Sequence, residues 1–418
     1  MSKKTFYFDY AATTPLDPQV FSAMLPYFKN EFGNPSNLYG LGRNAGRAVS
    51  EATKTITKIL GCRPDEFVYT GSATEADNLA ILGVAKAAIS ARDGHRRQAT
   101  SGLGRIIISS IEHKGILAVC DVLEKEGFEI ARLPVLKNGL IDLNELKREL
   151  NDKTILISVT MADSETGTIQ PISEISKIIR NFEIENSKLK IYLHTDASQA
   201  AGYLDINVDK LGVDMMTLSA HKIYGPKGIG GLYVRRGTKI NPIIYGGGQQ
   251  GQLRSGTENV PGIIGFAKAL ELNFKNKKTE FARIKKLRDV LEKGIFKSIP
   301  KVVLNGHPQE RMPNFLNISI LDVEGEALLL YLDELGIMVA TGSACNSLSL
   351  EPSYILKALG NSYEYIHGSL RFTLGKGNTM ADVKYVLKHL PSVVKKLRDI
   401  SSLDLSLNRK KWQNKIKK

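Results

Sequence analysis

From Glu66 to Val234, short apolar runs alternate with amphipathic stretches of helical length, and few folds accommodate that rhythm. Apolar runs at Glu66–Thr70, Arg105–Ser109, Phe128–Val135, Thr154–Thr160, Ile191–Asp196, Val213–Ser219 and Gly230–Val234 read as strands. Between them, Thr74 to about Ala91, Gly115–Glu126, Leu143–Leu150 and Ile172–Phe182 have helical periodicity. Strands this apolar are buried on both faces, so the pattern predicts an α/β protein with a mostly parallel sheet of seven strands covered by helices. Upstream, Asp17-Pro18 opens a helix to about Asn30, with Pro at the first helical position, and a second helix runs from Gly42 to Leu60 and stops at Gly61. The rhythm breaks around Gly246-Gly247-Gly248. A helix from Val260 to about Lys275 is expected to lead into a smaller C-terminal α/β domain. Arg92–Gly104 has no periodicity and reads as an exposed loop.

At 418 residues, 42% hydrophobic and 24% charged, the chain has room for a large core and two domains. The polar start, Met1 to Thr5, is too short for a signal peptide, and no apolar run is long enough to span a bilayer, which excludes a membrane role. Three scattered cysteines, Cys62, Cys120 and Cys345, suit neither a disulfide framework nor a zinc site. No metal is expected, and a reducing cytoplasm fits best. Net charge is +14, and the stretch from Ser401 onward holds six basic residues against Asp404. A basic tail can touch nucleic acid, but no aromatic-basic interleaving or helix-turn-helix pattern accompanies it. Direct nucleic-acid binding is not expected, and a solvated frayed end is favoured.

Lys222 follows the Val213–Leu218 run, within Ser219-Ala220-His221-Lys222 and before Gly225-Pro226-Lys227-Gly228. A lysine past a strand end is normally solvated. Here serine, histidine and a tight turn flank it, as for an amine held rigidly beside an anion. The preceding strand ends in Thr195-Asp196-Ala197-Ser198-Gln199. An aspartate after a strand is usually a helix cap. At neighbouring strand ends of one sheet, where open α/β sheets bind ligands, the two suit pyridoxal 5'-phosphate. That cofactor needs an imine-forming lysine and a carboxylate that keeps its ring nitrogen protonated. Gly71-Ser72-Ala73-Thr74-Glu75 joins a strand to a helix, where exposed amides and the helix dipole favour a phosphate. Ser219, His221 and Thr257, the last on a Gly-bounded loop, add donors. His113 sits at another strand end. A lone histidine is more often structural, yet its place at the ligand edge favours a ring stacked on the cofactor that also moves protons. Cys345 lies in the small, polar run Ala340–Leu350, the setting of an accessible nucleophile, whereas Cys120 and Cys62 have structural settings. A thiol of pKa roughly 8.5 needs activation by its surroundings. Arg371, in an alternating Ser369–Leu374 strand, is either a fork for a substrate carboxylate or a surface arginine, with comparable weight.

Taken in order, these motifs resemble those of cysteine desulfurases of the NifS/IscS type, over the chain to about Leu403. The resemblance rests on Asp9–Pro15, Phe32–Ser36, Ala73-Thr74-Glu75, Glu112-His113-Lys114, His194–Gln199, Ser219–Gly228, Arg254–Asn259, Gly342–Cys345 and Ser349–Tyr354. It implies a pyridoxal-phosphate enzyme of fold type I. Residues 15–259 would form the large domain. Residues 1–14 and 260–403 would form the small one, with 404–418 a basic tail. It implies a homodimer with active sites at the subunit interface, L-cysteine as substrate, and sulfur-acceptor proteins as partners. Lys222 takes the imine role and Asp196 the ring-nitrogen role. Gln199 takes the ring oxygen. Ala73, Thr74, Ser219, His221 and the partner subunit's Thr257 take the phosphate. Asn34 and Arg371 hold the substrate carboxylate, His113 manages thiol protons, and Cys345 carries the persulfide. The sequence departs from the family at Asp163 and Ser164, where two asparagines are usual. Ser164 occupies a cofactor-binding position with a shorter side chain, Asp163 adds a negative charge nearby, and weaker tuning of the ring without loss of binding is expected. A selenocysteine lyase, an aminotransferase or a weakly active scaffold for sulfur acceptors are the rival readings.

Overall fold

The computed structural model describes residues 4–93, 103–186, 189–342 and 352–400. Two compact units emerge, Ala11–Thr279 and Met1–Tyr10 with Glu280–Lys418. The divisions fall at 10/11 and 279/280, where 14/15 and 259/260 were expected. The second difference has a simple cause. The helix expected to end near Lys275 runs unbroken from Val260 to Ser298, through a polar stretch of helix formers with no proline or glycine to stop it.

The larger unit is built on one seven-stranded sheet. Its strands are β1 (Phe67–Thr70), β2 (Arg105–Ser109), β3 (Glu129–Leu133), β4 (Thr154–Ser158), β5 (Tyr192–Asp196), β6 (Met215–Ser219) and β7 (Gly230–Val234). The spatial order is β1-β7-β6-β5-β4-β2-β3. Parallel pairing links β6, β5, β4, β2 and β3, and β7 alone runs antiparallel to its neighbours β1 and β6. The central strands are buried on both faces, as their unbroken apolar runs require. Ile107, Ile157, Leu193 and Met216 enter one core layer, and Ile106, Ile108, Leu156, Tyr192 and Met215 the other. The edge strand β3 carries its polar residues outward.

The helix Gly40–Leu60 closes on Gly61 at φ 74°, a left-handed geometry that glycine adopts without strain. Asp17 caps the helix Pro18–Lys29 by accepting from the Gln19 amide at 2.9 Å. Both features match the sequence.

In the smaller unit, Val302–Leu304, Phe315–Ile320 and Ser369–Thr373 form an antiparallel sheet with Phe315–Ile320 in the middle. The N-terminal strand Phe6–Tyr7 pairs in parallel with Ile337–Met338. The helices Gly325–Glu334 and Met380–Ile400 complete the unit.

Candidate active site

Four parallel strands of the larger unit end in polar residues at one sheet edge: Ser109 on β2, Ser158 on β4, Asp196 on β5 and Ser219 on β6. Lys222 sits one short turn beyond Ser219, at the end of the 3-10 helix Ala220–Lys222. Its amine donates to the Ala12 carbonyl at 2.9 Å and also to the Ala11 carbonyl. The Gln199 side-chain amide donates to that same Ala11 oxygen at 3.1 Å.

The turn after Lys222 is strained. Buried Tyr224 takes φ 66°, a region that costs a side-chain-bearing residue on the order of 1–3 kcal/mol. The N-terminal segment holds it there. The Thr14 amide and hydroxyl both donate to the His221 carbonyl, at 3.0 and 2.9 Å. The Tyr224 amide donates to the Thr14 hydroxyl at 2.8 Å, and the Asp17 amide to the Tyr224 carbonyl at 3.0 Å. Glycine is required next, because a Cβ on Gly225 would lie 2.7 Å from the Ala220 carbonyl oxygen.

His221 Nδ1 lies 3.1 Å from the Thr13 hydroxyl, and burial with the nearby Lys222 and Lys227 pushes its pKa down to about 4. At neutral pH it is therefore an uncharged ring. Ser219 is buried and faces Gly230 across the β6–β7 pair. A Cβ on Gly230 would come within 2.7 Å of Ser72 C and 2.9 Å of Ala73 N, so the glycine lets the Ser72-Ala73 backbone settle against the sheet. Ala73 opens the helix Ala73–Asp93, whose first amides have no acceptor within the helix. The Glu75 carboxylate accepts from the Gly71 amide at 2.8 Å and pairs with Arg254 at 2.9 Å, which fixes that loop. Thr74 is exposed beside Gly115.

Asp196 is 8% exposed, and its Oδ1 accepts from the Ser198 amide at 2.8 Å. His113 caps the helix Lys114–Lys125, its Nδ1 accepting from the Gly115 amide at 3.1 Å. That bond assigns the neutral ring's proton to Nε2. The structural reading of His113 is met by this cap.

Asp163 departs from expectation. Instead of adding charge to the site, its buried carboxylate turns into its own loop, accepting from the Glu165, Thr166 and Thr168 amides at 2.9, 2.6 and 2.9 Å and from the Thr166 hydroxyl. Ser164 beside it is half-buried.

The remaining candidates make contacts of their own. Asn34 accepts from the Ser36 amide at 3.0 Å, and Thr257 is exposed. Arg371 belongs to the smaller unit, 7% exposed and paired with Asp9 at 2.7 Å, so it is no surface arginine. Cys345 and the tail 404–418 lie outside the described residues, as does most of the Arg92–Gly104 loop.

Three buried ionisable residues near the site were given no role from sequence: Asp77, and Glu112 and His194, which were read only as members of motifs. Glu112 accepts from the Ser109 hydroxyl at 2.7 Å and the Thr160 amide at 2.6 Å, and burial pushes its pKa up to about 8. The available signal was an acid on the inward face of an otherwise apolar helix, in the case of Asp77, and acid or imidazole directly beside a strand-end motif in the others.

Comparison with known proteins supplies the family. The class-V aminotransferase model matches residues 6–386. The chain is 47% identical over 399 residues to a cysteine desulfurase IscS of Dictyoglomus turgidum, covering 96% of this chain and 97% of that one. Among solved structures, a NifS-like protein superposes with TM-score 0.85 at 33% identity, covering 94% of this chain and all of the other. A structure described as SspA in complex with cysteine aligns with TM-score 0.75 at 34% identity, over 88% of this chain and 99% of that one.

Proposed function

The chain belongs to the class-V aminotransferase family and is a cysteine desulfurase, and from that premise we propose how its own residues carry out the reaction. The family depends on pyridoxal phosphate, and the donor set of the larger unit suits that group. It offers one primary amine, one nearly buried carboxyl at the adjacent strand end, and a helix start with a serine and a neutral imidazole beside it. In this reading Lys222 holds the aldehyde carbon, Asp196 the ring nitrogen and Gln199 the ring oxygen. Ala73, Thr74, Ser219, His221 and the partner subunit's Thr257 hold the phosphate, and Ser164 contributes at the ring edge. Bound there, the cofactor supplies an electron sink that labilises bonds at the substrate's Cα and Cβ.

The protein's own groups do the rest. The Lys222 amine takes and returns the proton at Cα. Asp196 keeps the ring-nitrogen proton in place. His113, with its proton on Nε2, exchanges protons with the substrate thiol. Asn34 and Arg371 orient the substrate carboxylate. The Cys345 thiolate attacks the substrate sulfur, so that the Cβ–S bond breaks, an S–S bond forms and Cβ takes a proton. L-cysteine and the thiol become L-alanine and a persulfide on Cys345.

The observation that carries this reading is the meeting of Lys222 and Gln199 at Ala11, with Asp196 on the strand next to the lysine's own. That L-cysteine is the substrate gains support from the cysteine-bound relative. A homodimer is part of the proposal, supported by large apolar side chains left exposed on the larger unit, among them Phe28 at 61%, Phe32 at 68% and Leu38 at 87%. Sulfur-acceptor proteins for cluster assembly or nucleic-acid thiolation, and a cytoplasmic location, complete it. No helix among the described residues is long and apolar enough to cross a membrane.

Borohydride reduction of the purified protein tests the assignment. A pyridoxyl mass on the Lys222 peptide is expected, and its absence there would remove the proposal. Comparing alanine with keto-acid production from cysteine separates desulfuration from transamination.

A further inference from the structure

Behind Asp196 lies a carboxyl that the chemistry above leaves unused. Asp77, on the inner face of the Ala73–Asp93 helix, is 1% exposed, and neither of its oxygens makes a hydrogen bond of good geometry. The groups facing it are themselves buried. Burial is the largest influence against its ionisation, Asp196 and, once ionised, Glu112 add like charge, and the Thr217 hydroxyl of β6 is the one influence that eases it. His194 Nε2 lies 3.7 Å from Asp77 Oδ1. That imidazole also contacts the Ser158 hydroxyl through Nδ1 at 2.9 Å and the Thr217 hydroxyl through Nε2 at 3.0 Å. Burial pushes the His194 pKa down to about 4, so it adds no positive charge. Burial, with a smaller influence from Glu112, pushes Cys120 on the helix Lys114–Lys125 up to about 12, so it stays a thiol.

Carboxylates crowded into one dry site cannot all ionise. The donors around each decide which keeps its proton. Asp196 has the Ser198 amide and some exposure, and Glu112 has a hydroxyl and an amide. Asp77 has neither an amide donor nor exposure, so its anion is the costliest of the three.

We propose that Asp77 is a positioning residue for Asp196, a buried acid that keeps its own proton next to His194 and so leaves Asp196 to carry negative charge toward the cofactor ring. The inference rests on the proposed pairing of Asp196 with the ring nitrogen. Asp77→Asn preserves shape and neutrality, whereas Asp77→Ala removes both the group and its volume.

With Asp77→Asn, pyridoxal-phosphate affinity is expected to stay within about twofold, and the pH midpoint of the bound cofactor's visible band to move by less than about 0.3 unit. With Asp77→Ala, affinity is expected to fall about tenfold or more. In the cofactor-free protein at pH 7, the infrared difference between wild type and Asp77→Asn is expected to show a lost carboxylic-acid carbonyl band. A lost carboxylate band, a midpoint shift of about one unit or more in Asp77→Asn, or an unaffected Asp77→Ala would each overturn the proposal. If Asp77→Asn does not fold, carbon-13 aspartate labelling of the otherwise wild-type protein decides. A protonated aspartate signal at pH 7 that survives Asp163→Asn supports the idea, and its absence defeats it. Should the wild type bind no cofactor, the ring-nitrogen reading fails separately, while the infrared result still fixes the state of Asp77.

Discussion

Lys222 and Gln199, 23 residues apart in sequence, donate to the same carbonyl oxygen, that of Ala11. The reactive amine and a neighbouring amide are thereby aimed by one backbone group from the N-terminal segment. In the Lys222→Ala variant, alanine release from cysteine is expected to fall by about 10³-fold, the middle of the range for loss of a positioned base. Gln199→Ala, by contrast, is expected to retain turnover with looser cofactor. Measuring alanine and cofactor retention on the same preparations checks both; equal turnover in wild type and Lys222→Ala would refute the assignment.

Thr14 serves the lysine turn through one hydroxyl that both donates to the His221 carbonyl and accepts from the Tyr224 amide. Thr14→Val keeps the volume and strands a buried amide, so a loss of about 1–3 kcal/mol is expected in urea unfolding. Cofactor should also leave faster on dialysis. A stability within error of wild type would show that the turn holds itself.

Glu112 sets an alkaline trend in stability. Its pKa is raised in the fold to about 8 from an ordinary 4.5, so the folded chain binds more protons than the unfolded one between those values. Its contribution is then full below about pH 4.5 and declines as pH rises toward 8. Glu112→Gln retains an acceptor for Ser109 and Thr160 and should flatten that decline. Unfolding midpoints across pH 5–8.5 measure it, and parallel curves for the two proteins would contradict it.

Arg371 is nearly buried and held by Asp9. Arg371→Lys keeps a charge and loses the two-pronged donor, so KM for cysteine is expected to rise by about 10-fold or more with a smaller change in kcat. Steady-state kinetics separate the two effects, and an unchanged KM would exclude a grip on the substrate carboxylate.

Cys345→Ser is expected to abolish persulfide on the protein, detected by mass after a single turnover with labelled cysteine. Label found undiminished in that variant would assign the sulfur to another thiol.

The sheet was legible because its strands are nearly pure apolar runs; Asp196 and Ser219 stood out because each ends one, and Lys222 because it follows Ser219 by one short turn. The long helix was cut short in the expectation because its polar middle, near Lys275–Lys278, lacks the apolar stripe by which helices are recognised. Asp163 misled for a different reason. Its charge was visible in the sequence, but the direction of its side chain depends on the amides of Glu165, Thr166 and Thr168, which only the folded turn supplies. Asp77 and His194 were obscured because a buried polar residue inside an apolar helix or strand looks like an ordinary interruption until its neighbours are known.

The clasp between Thr14 and the turn at His221–Tyr224 spans 207 to 210 residues of chain. A ribosome makes one half of it long before the other, so the reactive lysine can be set only after six of the seven strands of the larger sheet have been synthesised. Trimming the start of the polypeptide past Ala11 would therefore act on the chemistry itself, and a fragment that ends before Tyr224 would emerge with its sheet partly built and its amine unaimed.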